Sequence, residues 1–216
     1  MSVKREIFDR LGTLSRPDAI LATNTSYLDV NVIAAGTRNP DRVLGMHFFS
    51  PAHLMKLVEL ARGVQTAPEV MRTAHNVLRR LGKLPVPVGV CRGFVGNRIL
   101  MARTRQLSPL LLDGASPEQI DAACRSFGWP MGPCEMMDMA RLDISWRNRR
   151  AFGETDVIAD ALCEAGRFGQ KVGKGWYDYR PETRGGIASA EVLAVIEADA
   201  AARSQTARSS SGFMVP

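Results

Sequence analysis

At 216 residues, with 45% hydrophobic and 23% charged side chains, the chain is long enough for one or two globular domains with real cores, which excludes disorder over most of its length. Its formal charge of +6 comes from 28 basic against 22 acidic residues, scattered except for short clusters such as Arg147, Arg149 and Arg150; by itself it suits an anionic small molecule, a nucleic acid or simply a basic soluble surface. Aromatic residues make up 6% and are not interleaved with basic ones, and no stretch approaches a membrane span, so neither nucleic acid nor a membrane is an expected partner.

In chain order, Ile7, Phe8, Leu11 and Leu14 fall at helical spacing and predict a helix over 4–14, stopped before Pro17. A strand over 19–23, a short helix over 29–35, and strands over 43–49 and 55–60 follow. Pro68 opens a helix running to Leu81, Gly82 closes it, and a strand over 84–88 ends this half. Strands and helices alternate up to about residue 90, an α/β pattern. Helix-period apolar faces then cover 95–112, 117–127 and 136–149, separated by Asp113-Gly114-Ala115-Ser116 and a turn from Gly128 to Pro133. Ser116-Pro117-Glu118-Gln119 has the form of a capping box with proline at the first helical position. Residues 183–216 predict a helix over 190–202 and a disordered polar end from Ser204.

Cys91, Cys124, Cys134 and Cys163 lack the short paired spacing of a zinc site or disulfide framework. They read as reduced thiols of a cytoplasmic protein, with no metal expected. The N-terminus MSVKREIFDR has no apolar signal core, so the sequon at Asn24-Thr25-Ser26 carries no weight.

Two groups able to share a proton, His47 and Glu59, lie in Gly45–Leu60. One helix cannot bring them together, because positions twelve apart on a helix are separated by roughly 18 Å. A strand, a turn at Pro51 and a second strand can place them side by side. Each alone reads first as a buried, hydrogen-bonded polar residue. Ser26 alone reads as a loop or cap residue, Asn97 as part of a glycine-rich helix start, and Lys4 as a solvated helix lysine. His53 and His75 have no carboxylate partner in any motif and are expected at the surface.

Asn24-Thr25-Ser26, His47-Phe48-Phe49-Ser50-Pro51, Lys56-Leu57-Val58-Glu59, Gly93-Phe94-Val95-Gly96-Asn97-Arg98 and Phe168-Gly169-Gln170-Lys171-Val172-Gly173-Lys174-Gly175-Trp176-Tyr177 occur in that order. Together they resemble the 3-hydroxyacyl-CoA dehydrogenases over about residues 3–180, most of all the dehydrogenase part of multifunctional fatty-acid oxidation enzymes. The resemblance implies an α/β part followed by a mainly α part. These would be the C-terminal part of a Rossmann-like NAD-binding domain over 1–90, a helical 6-phosphogluconate-dehydrogenase-like domain over 91–182, and a tail over 183–216. It implies NAD-dependent oxidation of a 3-hydroxyacyl-CoA in β-oxidation. His47 would be the base and Glu59 its orienting carboxylate, while Ser26 and Asn97 would contact the reacting oxygen. Lys4, Asn24 and Ser26 would lie by the cofactor. An acyl-CoA substrate and a homodimer through helices between Val95 and Arg149 are implied as well, with Met136, Met137 and Met139 as candidate contacts. Ser50 stands where many members carry asparagine and receives no catalytic part. Trp176 and Tyr177 are expected to pack the segment onto the helical domain.

The family's G-x-G-x-x-G turn has no counterpart in this sequence. The expectation is therefore of a chain lacking the first half of the Rossmann sheet, with an open sheet edge and little turnover by itself. Two other functions stay open. One is a non-catalytic acyl-CoA-binding or dimerisation module, and the other is a dehydrogenase of another hydroxy acid.

Overall fold

The computed structural model describes residues 1–183 and 185–211, with side chains as far as residue 203. Backbone contacts divide the chain into two compact units, Met1–Met101 and Ala102–Pro216.

The first unit is built on a sheet of order β1-β2-β3-β4, with β1 (Leu21–Thr23), β2 (Val43–Phe48), β3 (Leu57–Arg62) and β4 (Leu84–Gly89). β1 and β2 are parallel, β3 runs against β2, and β4 is parallel to β3. Strand pleating divides the apolar residues between two faces. On one face α3 (Pro68–Arg80) lays Val70, Ala74 and Leu78, spaced four apart, over Leu44, Val58 and Leu60. The other face takes Phe8 of α1 (Ser2–Leu14) and Ile33 and Ala34 of α2 (Val30–Ala34) against Val43. Ala61 on that face packs with Val30, Val88 and Phe94. Of the residues that set the period of α1, only Phe8 is buried, while Ile7, Leu11 and Leu14 are exposed. β3 begins two residues later than the sequence suggested. The N–H groups of Leu54 and Met55 both donate to the Pro51 carbonyl, so Met55 belongs to the turn.

The helical part departs from the sequence expectation at two breaks. The helix expected over 95–112 is two, α4 (Gly96–Thr104) and α5 (Leu107–Leu112). Pro109 has no N–H to offer the Arg105 carbonyl and its ring crowds that group, so the ladder restarts there. α6 (Pro117–Phe127) matches its expected bounds, with the Ser116–Gln119 capping box formed and Gly128 left-handed at its end. The helix expected over 136–149 is α7 (Pro133–Ala140) and α8 (Leu142–Ala151), parted at Arg141, whose φ is 74°. In an unbroken helix Leu142 N–H would donate to the Asp138 carbonyl; here it donates to Phe168 O at 3.0 Å. Gly169 lies so close to that Asp138 carbonyl that any Cβ on it would overlap the oxygen.

α9 (Val157–Glu164), capped by the Asp156 carboxylate, was not foreseen. α10 (Ala190–Ser211) continues past 202, because no glycine or proline interrupts its alanine-rich run before Gly212. The end expected to be disordered is therefore helical as far as Ser211, and residues 212–216 lie outside the described residues.

The core of this unit gathers Leu107, Leu111, Cys134, Leu142, Ile158, Leu162, Val192 and Ile196 around Trp176 and Tyr177. Trp176 and Tyr177 are thus structural, as expected. Asp138 fixes them, accepting from the N–H of Trp176 at 2.8 Å, the N–H of Tyr177 at 3.0 Å and the hydroxyl of Tyr179 at 2.9 Å. Burial drives the Asp138 carboxyl up to about 6 against the opposing pull of these donors.

Candidate active site

His47 on β2 and Glu59 on β3 are direct partners in the antiparallel register, so both side chains rise from the same face of the sheet. His47 Nδ1 and Glu59 Oε2 are 2.8 Å apart, and the two residues are only 5% and 2% exposed. The other carboxylate oxygen, Oε1, accepts from Val95 N–H at 2.9 Å and Gly96 N–H at 2.8 Å. These amides open α4, where unpaired N–H groups and the helix dipole favour a negative charge. Two successive residues with positive φ, Gly93 at 75° and Phe94 at 46°, turn the chain into this position. Glu59 is thus held from both sides by charge-assisted hydrogen bonds.

The far nitrogen of His47, Nε2, is 2.9 Å from Ser26 Oγ. With Glu59 ionised, Nδ1 carries the proton it donates, and Nε2 keeps a lone pair that accepts the Ser26 hydroxyl. The loop bearing Ser26 follows β1 and is tied at three points. Asn24 Oδ1 accepts from Phe48 N–H at 3.0 Å, Thr25 Oγ1 from Leu28 N–H at 3.1 Å, and the Ser26 carbonyl from Gly93 N–H at 3.1 Å. Phe49 and Phe94 flank the imidazole, with ring centroids 4.8 and 5.7 Å away. The arrangement is a shielded imidazole with a carboxylate on one nitrogen and a hydroxyl on the other.

Lys4 Nζ reaches Thr23 Oγ1 at 3.3 Å, at the carboxyl end of β1. Lys4, Asn24 and Ser26 therefore gather beyond the strand ends where α/β sheets hold their ligands. Asn97 stands in the first turn of α4, one residue after the Gly96 amide, and its side chain has no hydrogen-bond partner among the described residues. His53 and Ser50 are exposed, whereas His75 is half-buried on α3, over the opposite sheet face. Sequence reasoning missed the main-chain amides of Val95 and Gly96 and the rings of Phe49 and Phe94. The two glycines around Phe94 and Val95 were the available signal, since such spacing allows close approach of backbone to a ligand group. No cluster of three metal-ligating side chains occurs among the described residues, and none of their helices is long and apolar enough to cross a membrane.

Comparison with known proteins places this geometry in a family. The family model described as 3-hydroxyacyl-CoA dehydrogenase, NAD binding domain, matches residues 1–91, and that described as 3-hydroxyacyl-CoA dehydrogenase, C-terminal domain, matches residues 93–179. The peroxisomal bifunctional enzyme of Danio rerio is 46% identical over 197 residues, covering 83% of this chain and 27% of that protein. The chain thus spans little more than a quarter of that relative. Among solved structures, the (S)-3-hydroxybutyryl-CoA dehydrogenase of Ralstonia eutropha is 33% identical, with a TM-score of 0.77, over 83% of this chain and 67% of that one. The 3-hydroxybutyryl-CoA dehydrogenase of Escherichia coli K12 is 36% identical, with a TM-score of 0.78, over 85% of this chain and 41% of that one. With both parts of the His47–Glu59 scaffold inside these matches, the chain belongs to the 3-hydroxyacyl-CoA dehydrogenase family.

Proposed function

We propose that the chain carries the catalytic face for NAD-dependent oxidation of a 3-hydroxyacyl-CoA to the 3-oxoacyl-CoA, as in fatty-acid β-oxidation. The observation that supports it is the unbroken hydrogen-bonded line from Ser26 through His47 to a Glu59 clamped by α4. His47 Nε2 takes the proton of the substrate 3-hydroxyl as the carbon–oxygen double bond forms. The imidazolium so produced is stabilised by the Glu59 carboxylate, whose second oxygen is held by two amides. The Ser26 hydroxyl and the free Asn97 amide hold the reacting oxygen in line with Nε2. Bound NAD would supply the acceptor for the hydride that leaves the same carbon.

The residues present fit the nicotinamide end of that cofactor. Lys4 supplies a cation and Asn24 an exposed amide NH2, both at the carboxyl end of β1, beside Ser26. α2, the helix after β1, is no pyrophosphate cradle, because its first turn is already capped by the Asp29 carboxylate, which accepts Asn31 N–H at 2.8 Å.

The domain limits proposed are 1–90 for the nucleotide-binding part, 91–182 for the helical part and 183–216 for the tail. A homodimer forms through the helices between Val95 and Arg149. Met139 is its best contact, being 53% exposed, while Met137 packs against the core. The cytoplasm is the proposed compartment. A second reading, an acyl-CoA-binding module without turnover, is favoured by one observation, the lack of a G-x-G-x-x-G turn in the sequence.

Calorimetry with NAD and with an acyl-CoA, alongside turnover of a 3-hydroxyacyl-CoA, tests the proposal. His47-dependent NADH formation supports the dehydrogenase. Acyl-CoA binding without turnover supports the module, and loss of both binding events overturns each reading. Light scattering checks the dimer, which a concentration-independent monomer mass rejects.

A further inference from the structure

Gly96 touches the site twice. Its N–H donates to Glu59 Oε1 at 2.8 Å, and its missing side chain leaves room for Phe49. A Cβ at Gly96 would stand 2.7 Å from Phe49 Cζ, 3.1 Å from Phe49 Cε1 and 3.6 Å from Glu59 Oε1. Real Cβ atoms do not approach a carbon at 2.7 Å, so the ring would have to move. Phe49 cannot move without consequence, because its ring lies 4.8 Å from the imidazole of His47, tilted by 56°. The ring of Phe94, 1% exposed, is a second neighbour of the imidazole, with centroids 5.7 Å apart.

We propose that Gly96 is the positioning residue that sets the orientation and tautomer of His47, through Phe49 on one side and Glu59 on the other. The proposal rests on the dehydrogenase reading for its catalytic meaning, but its geometry stands without it. No requirement of the α4 backbone explains a glycine here. Gly96 lies outside the left-handed region that Gly93 and Phe94 occupy, so an alanine would suit the helix better. What excludes the larger residue is the packing of Phe49. The same residue precedes Asn97, so one point of the chain fixes both the imidazole and the first turn of α4 that bears the Asn97 amide.

The test is a double-mutant cycle of Gly96→Ala, Phe49→Leu and the two together, read by the nitrogen shifts of the His47 imidazole in long-range proton–nitrogen NMR spectra. These spectra report the tautomer and the titration of the ring whether or not the chain turns over. Ile99→Ala serves as the control, since it changes only an exposed side chain of α4. Gly96→Ala is expected to shift His47 away from the Nδ1–H form. Combining it with the shorter leucine at 49 should restore much of the wild-type spectrum, a non-additive result. If turnover is measurable, Gly96→Ala lowers kcat by about a hundredfold, the loss typical of a reacting group displaced by about 1 Å, with KM little changed.

Unchanged His47 shifts in a folded Gly96→Ala protein overturn the proposal, as do additive effects across the cycle. Should Gly96→Ala fail to fold, recovery of the fold and the Nδ1–H form in the double variant supports the proposal, and failure of both to fold rejects the compensation it requires. Coupled NMR shifts in a chain without dehydrogenase turnover would reject the proposed function while leaving the role of Gly96 intact.

Discussion

His47 and Glu59 meet as directly opposed residues of two antiparallel strands, Nδ1 to Oε2 at 2.8 Å, with almost no solvent reaching either. Replacing Glu59 by glutamine separates charge from shape. The amide oxygen can still accept the Val95 and Gly96 amides, which turns the NH2 group toward Nδ1 and forces the proton onto Nε2. Glu59→Gln should therefore fold, keep α4 capped, and lose the base, lowering kcat by about 100- to 10,000-fold. Kinetics together with imidazole nitrogen shifts check this, and a fully active Glu59→Gln protein would remove Glu59 from the mechanism.

Ser26→Ala takes away the hydroxyl facing Nε2 while leaving the main-chain bond from Gly93 to the Ser26 carbonyl. Stability should drop by about 1 kcal/mol, the net worth of one partly buried hydrogen bond. The fall in kcat should be larger, about 100-fold, because a donor aimed at the reacting oxygen is lost. Denaturation midpoints and kcat measured on the same preparation distinguish the two effects.

Asp138 links stability to pH. Burial raises its carboxyl to about 6 from an ordinary 3.8, so between those values the folded chain holds more protons than the unfolded one. Stability therefore falls as pH rises through this window, the contribution being complete below about 4 and lost above about 6. The swing is on the order of 2–3 kcal/mol. Urea midpoints taken across that range should decline for the native protein and run flatter for Asp138→Asn, which is itself less stable. Parallel curves for the two would assign the pH dependence elsewhere.

Gly175→Ala strikes the same carboxylate sterically. A Cβ there would overlap Asp138 Oδ1 and come within 2.7 Å of Gly169 Cα, with no flexible neighbour to yield. The expected loss is at least about 3 kcal/mol, at the upper end of overpacking costs. A variant within 1 kcal/mol of the native protein by chemical denaturation would show that this turn can relax.

Local chemistry made much of this molecule readable. Pro51, Gly45 and the alternating residues around them foretold the strands that bring His47 to Glu59, and Ser116-Pro117-Glu118-Gln119 foretold where α6 begins. The interruption before α5 was also local, since Pro109 announces it, yet the apolar period through Leu107 and Leu111 concealed it. The interruption at Arg141 had no local signal. Phe168 and Gly169, far along the chain, take the hydrogen bond and the space that a continuous helix needs. The same applies to the site, because nothing near Glu59 in sequence reveals that its second oxygen will be claimed by Val95 and Gly96. α9 is short and owes its start to Asp156, one polar residue in an otherwise unremarked stretch.

β4 lies at one side of the sheet and carries Pro85 and Pro87. Leu84 N–H donates inward, to Lys56 O at 2.8 Å, and in a parallel ladder alternate residues face the same neighbour. The outward positions of this strand are thus Pro85, Pro87 and the terminal Gly89, and the two prolines have no N–H to give. A visiting strand would find carbonyls there and, short of the strand end, no donors. The sheet is consequently sealed on that flank against edge-to-edge stacking between molecules, although Leu84 and Val86 lie exposed along it, and the flank formed by β1, which has no proline, is the one left receptive.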